Sequence, residues 1–101
     1  MVLICEKEYD LNTTKLSLSN MALDEIPTGV FQLTQLTCLD LSYNSLTTLP
    51  NDIIKLTKLE TILLHHNNIN MLLPLVYKLA NLLYLRELYV GNNQLKAIPH
   101  A

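Results

Sequence analysis

Tryptophan is absent from this chain, phenylalanine occurs once and glycine twice, so large aromatic plugs cannot organise its interior. Any core has to be aliphatic and repetitive, and 24 of the 101 residues are leucine. Basic clusters are missing as well. Seven Lys and Arg are scattered among nine Asp and Glu, for a net charge of −2. That leaves no cationic stripe for a phosphate backbone and argues against nucleic acid as a partner. No apolar run nears the roughly 18 residues of a membrane span. Only Val2, Leu3, Ile4 and Cys5 separate Met1 from Glu6, too few for the core of an export signal. A cytoplasmic protein without membrane insertion is expected.

Cysteine is nearly as sparse. Cys5 and Cys38 are far apart in sequence and lack the clustered spacing of a disulfide cap or a zinc site, so both are expected as reduced thiols. The sequon Asn12-Thr13-Thr14 matters only in a secreted protein. His65 and His66 are adjacent, which aims them poorly at one ion, and a closed metal site needs three or four ligands. No Ser-His-Asp, Cys-His or paired-carboxylate arrangement can be assembled. Catalysis, cofactors and metals are therefore not expected.

What is present is periodic. Four segments align: TTKLSLSNMALDEIP from Thr13, LTCLDLSYNSLTTLP from Leu36, LETILLHHNNINML from Leu59 and LRELYVGNNQLKAIP from Leu85, their starts 23, 23 and 26 residues apart. The pairs Leu16 and Leu18, Leu39 and Leu41, Ile62 and Leu64, and Leu88 and Val90 alternate, which places them on the inner face of short strands. Asn44, Asn67 and Asn93 follow each strand turn, where an inward amide can bond buried backbone groups and stack into a ladder. In the first segment Met21 occupies that place and is expected to fill a cap layer. Pro27, Pro50 and Pro99 end each turn by fixing φ. The connecting segments carry Val30, Leu33 and Leu36, then Ile53, Leu56 and Leu59, a three-residue spacing suited to a short helical or 3₁₀ turn. The third connection is longer, and Leu75, Leu79 and Leu82 after Pro74 predict an α-helix over about 75–83.

This pattern resembles the leucine-rich repeat family over residues 13–99, and Leu36, Leu39, Leu41, Asn44, Leu46, Leu49 and Pro50 match LxxLxLxxNxLxxLP throughout. Returns such as LPNDI, joined by LTQL and LTKL, look like the intracellular Ras-associated class. The resemblance implies an α/β fold, a right-handed β/α solenoid with four short parallel strands on its concave face. It also implies a scaffold or protein-binding module of signalling, with a small-GTPase pathway as one setting. The alternative is a regulatory repeat segment of a larger enzyme, such as a deadenylase, cyclase or kinase, whose catalytic domain lies beyond Ala101. One domain spans 1–101, with residues 1–12 as a partial N-terminal cap and repeats from about 13, 36, 59 and 85. Pro99-His100-Ala101 leaves Val90, Leu95 and Ile98 uncovered, so a fragment of a longer solenoid, or self-association through that end, is expected.

Counting from the inward leucines sets the outward residues. Ser42 and Cys38 fall among them, as do the candidate partner-binding residues Asp40, Tyr43, Glu60, Leu63, His65, His66, Arg86, Glu87 and Tyr89. Aromatic anchors beside an exposed leucine, rimmed by charge, have the makeup of a protein contact site. Four strands about 4.8 Å apart and about 20 Å long offer on the order of 300 to 400 Å², below the roughly 800 Å² that each partner gives to a standard interface. The flank at 74–84 is the other candidate surface, although Tyr77, Leu83 and Tyr84 are expected to pack into the chain's own core.

Overall fold

The computed structural model describes residues 1–70, 77 and 79–93. The chain opens with an antiparallel hairpin, β1 (Val2–Ile4) paired with β2 (Lys7–Tyr9). Its two-residue turn, Cys5-Glu6, takes φ of 49° and 67°. Left-handed backbone at both central positions is the geometry whose twist matches a tight hairpin, and it normally draws Asn and Gly. Alternation along β1 turns Val2 and Ile4 inward, and Leu3 faces solvent. The inward pair covers the first layer of the core as a cap.

Four parallel strands follow in chain order: β3 (Lys15–Ser17), β4 (Cys38–Asp40), β5 (Thr61–Leu63) and β6 (Glu87–Tyr89). Leu16, Leu39, Ile62 and Leu88 are opposed across the sheet, as the alternating pattern requires. Pairing runs past the three-residue strands, because the amides of Leu18 and Asn20 bond the carbonyls of Asp40 and Ser42, and those of Leu41 and Tyr43 bond Leu63 and His65. Leu39, Leu41, Ile62 and Leu64 are wholly buried, while Leu88 and Val90 are half-buried.

Pro27 and Pro50 lead into 3₁₀ turns at Thr28–Gln32 and Asn51–Lys55. The three-residue spacing read from the sequence puts Val30, Leu33 and Leu36, and Ile53, Leu56 and Leu59, under the sheet. Each such leucine or isoleucine contributes about 1.5 to 3 kcal/mol by leaving water.

The asparagine ladder forms. Asn67 Nδ2 donates to the carbonyls of Leu41 (2.9 Å) and Leu64 (3.0 Å), and its Oδ1 accepts the Leu46 amide (3.0 Å). Asn44 makes the same bonds one coil earlier, to the Leu18 and Leu41 carbonyls and from the Met21 and Leu23 amides. Asn93 makes them one coil later, to the Leu64 and Val90 carbonyls and from the Ile69 amide. Asn44 and Asn67 each reach 26 residues back to a carbonyl, and Asn93 reaches 29. The longer third connection is thus absorbed outside the sheet, and the ladder keeps its form.

Three expectations need correction. Met21 fills no cap layer: its amide is held by Asn44 while its side chain is exposed, because the hairpin supplies the cap instead. The α-helix over 75–83 does not reach its expected end. Tyr77 and Leu79 are helical, but the chain turns at Ala80 and Asn81, and the Leu82 amide bonds the Leu79 carbonyl in a tight i−3 turn. Residues 75, 76 and 78 of that expected helix lie outside the described residues. Tyr77, Leu83 and Tyr84 are 70%, 87% and 66% exposed, not core, because Leu79 and Leu82 take the inward places of that segment. Leu95, Ile98 and Pro99 of the expected open end also lie outside the described residues.

Candidate functional site

Because inward and outward residues alternate, the outer face of the four-stranded sheet carries ordered rows. One row is Ser17, Asp40, Leu63 and Tyr89, opposed strand by strand. Leu63 is half-exposed and Tyr89 exposed. The Tyr89 hydroxyl donates to Glu87 Oε2 at 2.6 Å. By accepting that bond, and by its charge, Glu87 holds the phenol above the ordinary tyrosine value. Glu60 and Arg86 immediately precede β5 and β6 and form an exposed ion pair at 4.0 Å.

At the far end of the strands, residues 20, 43, 66 and 92 recur at one position of each coil, and all four adopt left-handed backbone, with φ of 56°, 57°, 58° and 55°. Asn20 and Asn92 tolerate it. His66 is also of a type that visits this region, whereas Tyr43 holds it at a cost of about 1 to 2 kcal/mol. Their rings stack at a centroid distance of 4.2 Å and 9° between planes, and His65 meets Tyr43 edge-on at 5.5 Å. Asn92 Nδ2 lies 2.9 Å from His66 Nε2, which extends the row to the fourth coil. The outward sorting therefore brings Tyr43, His65 and His66 together. It missed the left-handed column, although asparagine at both Asn20 and Asn92 was a readable sign of it.

Asp40 is more engaged than its outward position suggests. Its Oδ1 accepts the Ser42 amide (3.0 Å) and hydroxyl (2.6 Å), and its Oδ2 lies 3.5 Å from the Ser17 hydroxyl. Ser42, expected to be outward and free, is 3% exposed, and its hydroxyl also meets that of Ser19 at 3.0 Å. An Asp two residues before a Ser draws it into a local turn that folds the serine under the strand end. Ser42→Ala is accordingly expected to cost about 1 kcal/mol in urea unfolding, and a loss under about 0.3 kcal/mol would mean that this bond contributes nothing.

Among the described residues, no group of three or more His, Cys, Asp or Glu is placed to hold a metal ion, and no helix is long and apolar enough to cross a membrane. Cys5 and Cys38 are free and half-buried. A cavity of about 370 Å³ lies between the first two connections, with Ile26, Phe31 and Pro50 among its lining and Asp24, Glu25 and Asp52 also bordering it.

Comparison with known proteins gives a match to the family model "Leucine rich repeat" over residues 12–69. Among solved structures, the functional domain of InlJ from Listeria monocytogenes, described as including a cysteine ladder, is 26% identical. It superposes with a TM-score of 0.55 over 87% of this chain and 20% of its own. An internalin of the same organism, inlF, is 24% identical, with a TM-score of 0.51 over 83% of this chain and 29% of its own. The Leptospira interrogans LRR protein LIC12759 is 21% identical, with a TM-score of 0.48 over 83% of this chain and 32% of its own. The chain thus spans about a third or less of the length of each. Among curated proteins, none matches it by sequence.

Proposed function

Because the chain belongs to the leucine-rich repeat family, we propose that it is a protein-binding module that docks its partner on the concave face of β3–β6. The observation that carries this reading is the composition of the outer face over β4–β6, three of the four strands. Tyr43 and Tyr89 are exposed beside half-exposed Leu63, with Asp40, Glu60, Arg86 and Glu87 around them. The fold uses the inner face of the same strands for its core, which leaves the outer rows free for recognition. His65 and His66 extend the surface through their contacts with Tyr43.

The coils wind as a right-handed solenoid, in keeping with the handedness of parallel crossovers. We read the protein as a non-enzymatic cytoplasmic scaffold of the Ras-associated class, with small-GTPase signalling as its setting. The LPNDI return and the two free thiols support that reading. A face of this size holds a partner through a few desolvated anchors.

Tyr89→Ala and Leu63→Ala are each expected to weaken a crosslink-identified, purified partner about tenfold, or about 1.4 kcal/mol, with the circular dichroism unchanged. Thr14→Ala, just before β3 at the plain edge of the sheet, should leave affinity as it was. Binding that survives the first pair but disappears with Tyr77→Ala and Tyr84→Ala in a folded chain would move the site to the flank and overturn the concave assignment.

A further inference from the structure

We propose that β3 is a docking edge, where a partner lays an extended polypeptide segment carrying a carboxylate and adds a strand to the sheet through its main chain. This goes beyond the concave-face reading, because it uses the side of the sheet and leaves the row of Leu63 and Tyr89 untouched.

The first ground is the direction of the backbone groups. Cys38 and Asp40 of β4 stand in register with Lys15 and Ser17 of β3. Both turn their main chain back to the preceding strand: the Cys38 amide donates to the Thr14 carbonyl at 3.2 Å, and the Asp40 carbonyl accepts the Leu18 amide at 2.8 Å. Lys15 and Ser17 repeat that geometry one coil earlier, on the side where the sheet ends. Parallel pairing engages alternate residues on each side of a strand. Thr14, Leu16 and Leu18 therefore serve β4, and the N–H and C=O groups of Lys15 and Ser17 face out from the edge. Both residues are exposed, and among the described residues none meets those groups.

The second ground is space. The hairpin could have closed this edge by pairing one of its strands with β3. Instead β1 and β2 pair only with each other and lie by the Thr28–Gln32 turn, with Val2 and Ile4 close against Gly29. The lane beside β3 stays open, above a hairpin that covers the end of the core. A single strand fits that lane, whereas a second copy would bring its own hairpin into the same volume. Met21 occupies the ladder position from which Asn44 and Asn67 reach back to the coil before them. Its side chain is 45% exposed and offers an apolar contact to a strand laid there.

Lys15 sets the sign of the occupant. Among the described residues it has no ion pair. A lysine on an edge deters indiscriminate pairing and favours a strand that brings a carboxylate beside it. In strand addition the main-chain bonds supply affinity and the alternate side chains supply selectivity.

Panning phage-displayed random dodecapeptides on the full chain, with the best binder then made synthetically, supplies the probe. That peptide is expected to alternate apolar and polar residues, to carry Asp or Glu, and to slow hydrogen exchange at the Lys15 and Ser17 amides, read by NMR. Its affinity should be unchanged by Tyr89→Ala. Lys15→Pro removes an edge donor at the first residue of β3, a place where proline is tolerated. It should keep the urea midpoint and abolish peptide binding, while Lys15→Gln should weaken the peptide several-fold. Cys38→Pro, the same change one strand inward, should lower the midpoint because its amide is bonded. A Lys15→Pro chain as destabilised as Cys38→Pro would show the edge already engaged and overturn the proposal. A peptide that protects neither amide and is lost with Tyr89→Ala would also overturn it and leave the concave reading standing. A chain that is dimeric by analytical ultracentrifugation and becomes monomeric with Lys15→Pro would give the edge to a second copy and overturn the partner strand. A library that yields no binder would overturn it as well.

Discussion

Asn67→Ala is expected to destabilise the chain by about 2 to 3 kcal/mol, the upper part of the range for stripping a partner from buried polar groups. Asn67 is 5% exposed, and its Oδ1 accepts the amide of wholly buried Leu46. Alanine leaves that N–H with no acceptor and no route to water. The carbonyls of Leu41 and Leu64 fare better, since each also accepts from a neighbouring asparagine, Asn44 or Asn93. Asn67→Asp should be at least as harmful despite its matching size, because it aims a carboxylate oxygen at those two carbonyls. Asn44 is only half-buried, so Asn44→Ala should cost less. Urea unfolding of the three variants decides the matter, and a loss under about 0.3 kcal/mol for Asn67→Ala would refute the ladder.

Gly29→Val should loosen the N-terminal hairpin. A β-carbon at Gly29 would lie 2.9 Å from Val2 Cγ2, 3.1 Å from Ile4 Cγ1 and 3.1 Å from the Leu3 carbonyl oxygen. Glycine is required there by space, since no glycine of the described residues has positive φ. Overpacking of this kind costs about 1 to 3 kcal/mol, and the hairpin can escape it only by lifting Val2 and Ile4 off the core. Limited proteolysis should then cut between Tyr9 and Thr13 faster than in the parent chain, with Gly29→Ala intermediate. Equal cleavage and an unchanged urea midpoint would show that β1 does not rest on Gly29.

The parts of this architecture that were legible in the sequence are those set by periodicity. Alternating leucines placed all four parallel strands in register, and the three-residue spacing after Pro27 and Pro50 located both 3₁₀ turns. Inward Asn44, Asn67 and Asn93 followed from the need to satisfy buried backbone groups. What stayed hidden depends on local geometry with no periodic trace. Cys5-Glu6 makes a tight left-handed turn that sequence rules assign to Asn-Gly, so the hairpin went unread and only a partial cap was expected. Ser42 was sorted outward by parity, yet Asp40 two residues earlier draws it under. Parity also placed Asp40, Tyr43 and His66 on the outer face without revealing that the first is held by serines or that the other two are stacked.

The fixed reach of the ladder has a consequence for how such a chain can change length. Asn44 takes its carbonyl 26 residues back and its Leu23 amide 21 back; Asn67 does the same with Leu41 and Leu46. Excising residues 36–58 would therefore deliver Asn67 to the Leu18 carbonyl and the Leu23 amide at those same offsets, with Gln35 joined to Leu59. Duplicating that block would work in reverse. The offsets of the ladder survive gain or loss of a whole 23-residue coil, while stability rises or falls with the number of coils stacked. Such a step moves, doubles or deletes a strip of the outer surface at a stroke. Recognition can then be remodelled by arithmetic on coils, while the hydrogen-bonded frame is inherited intact.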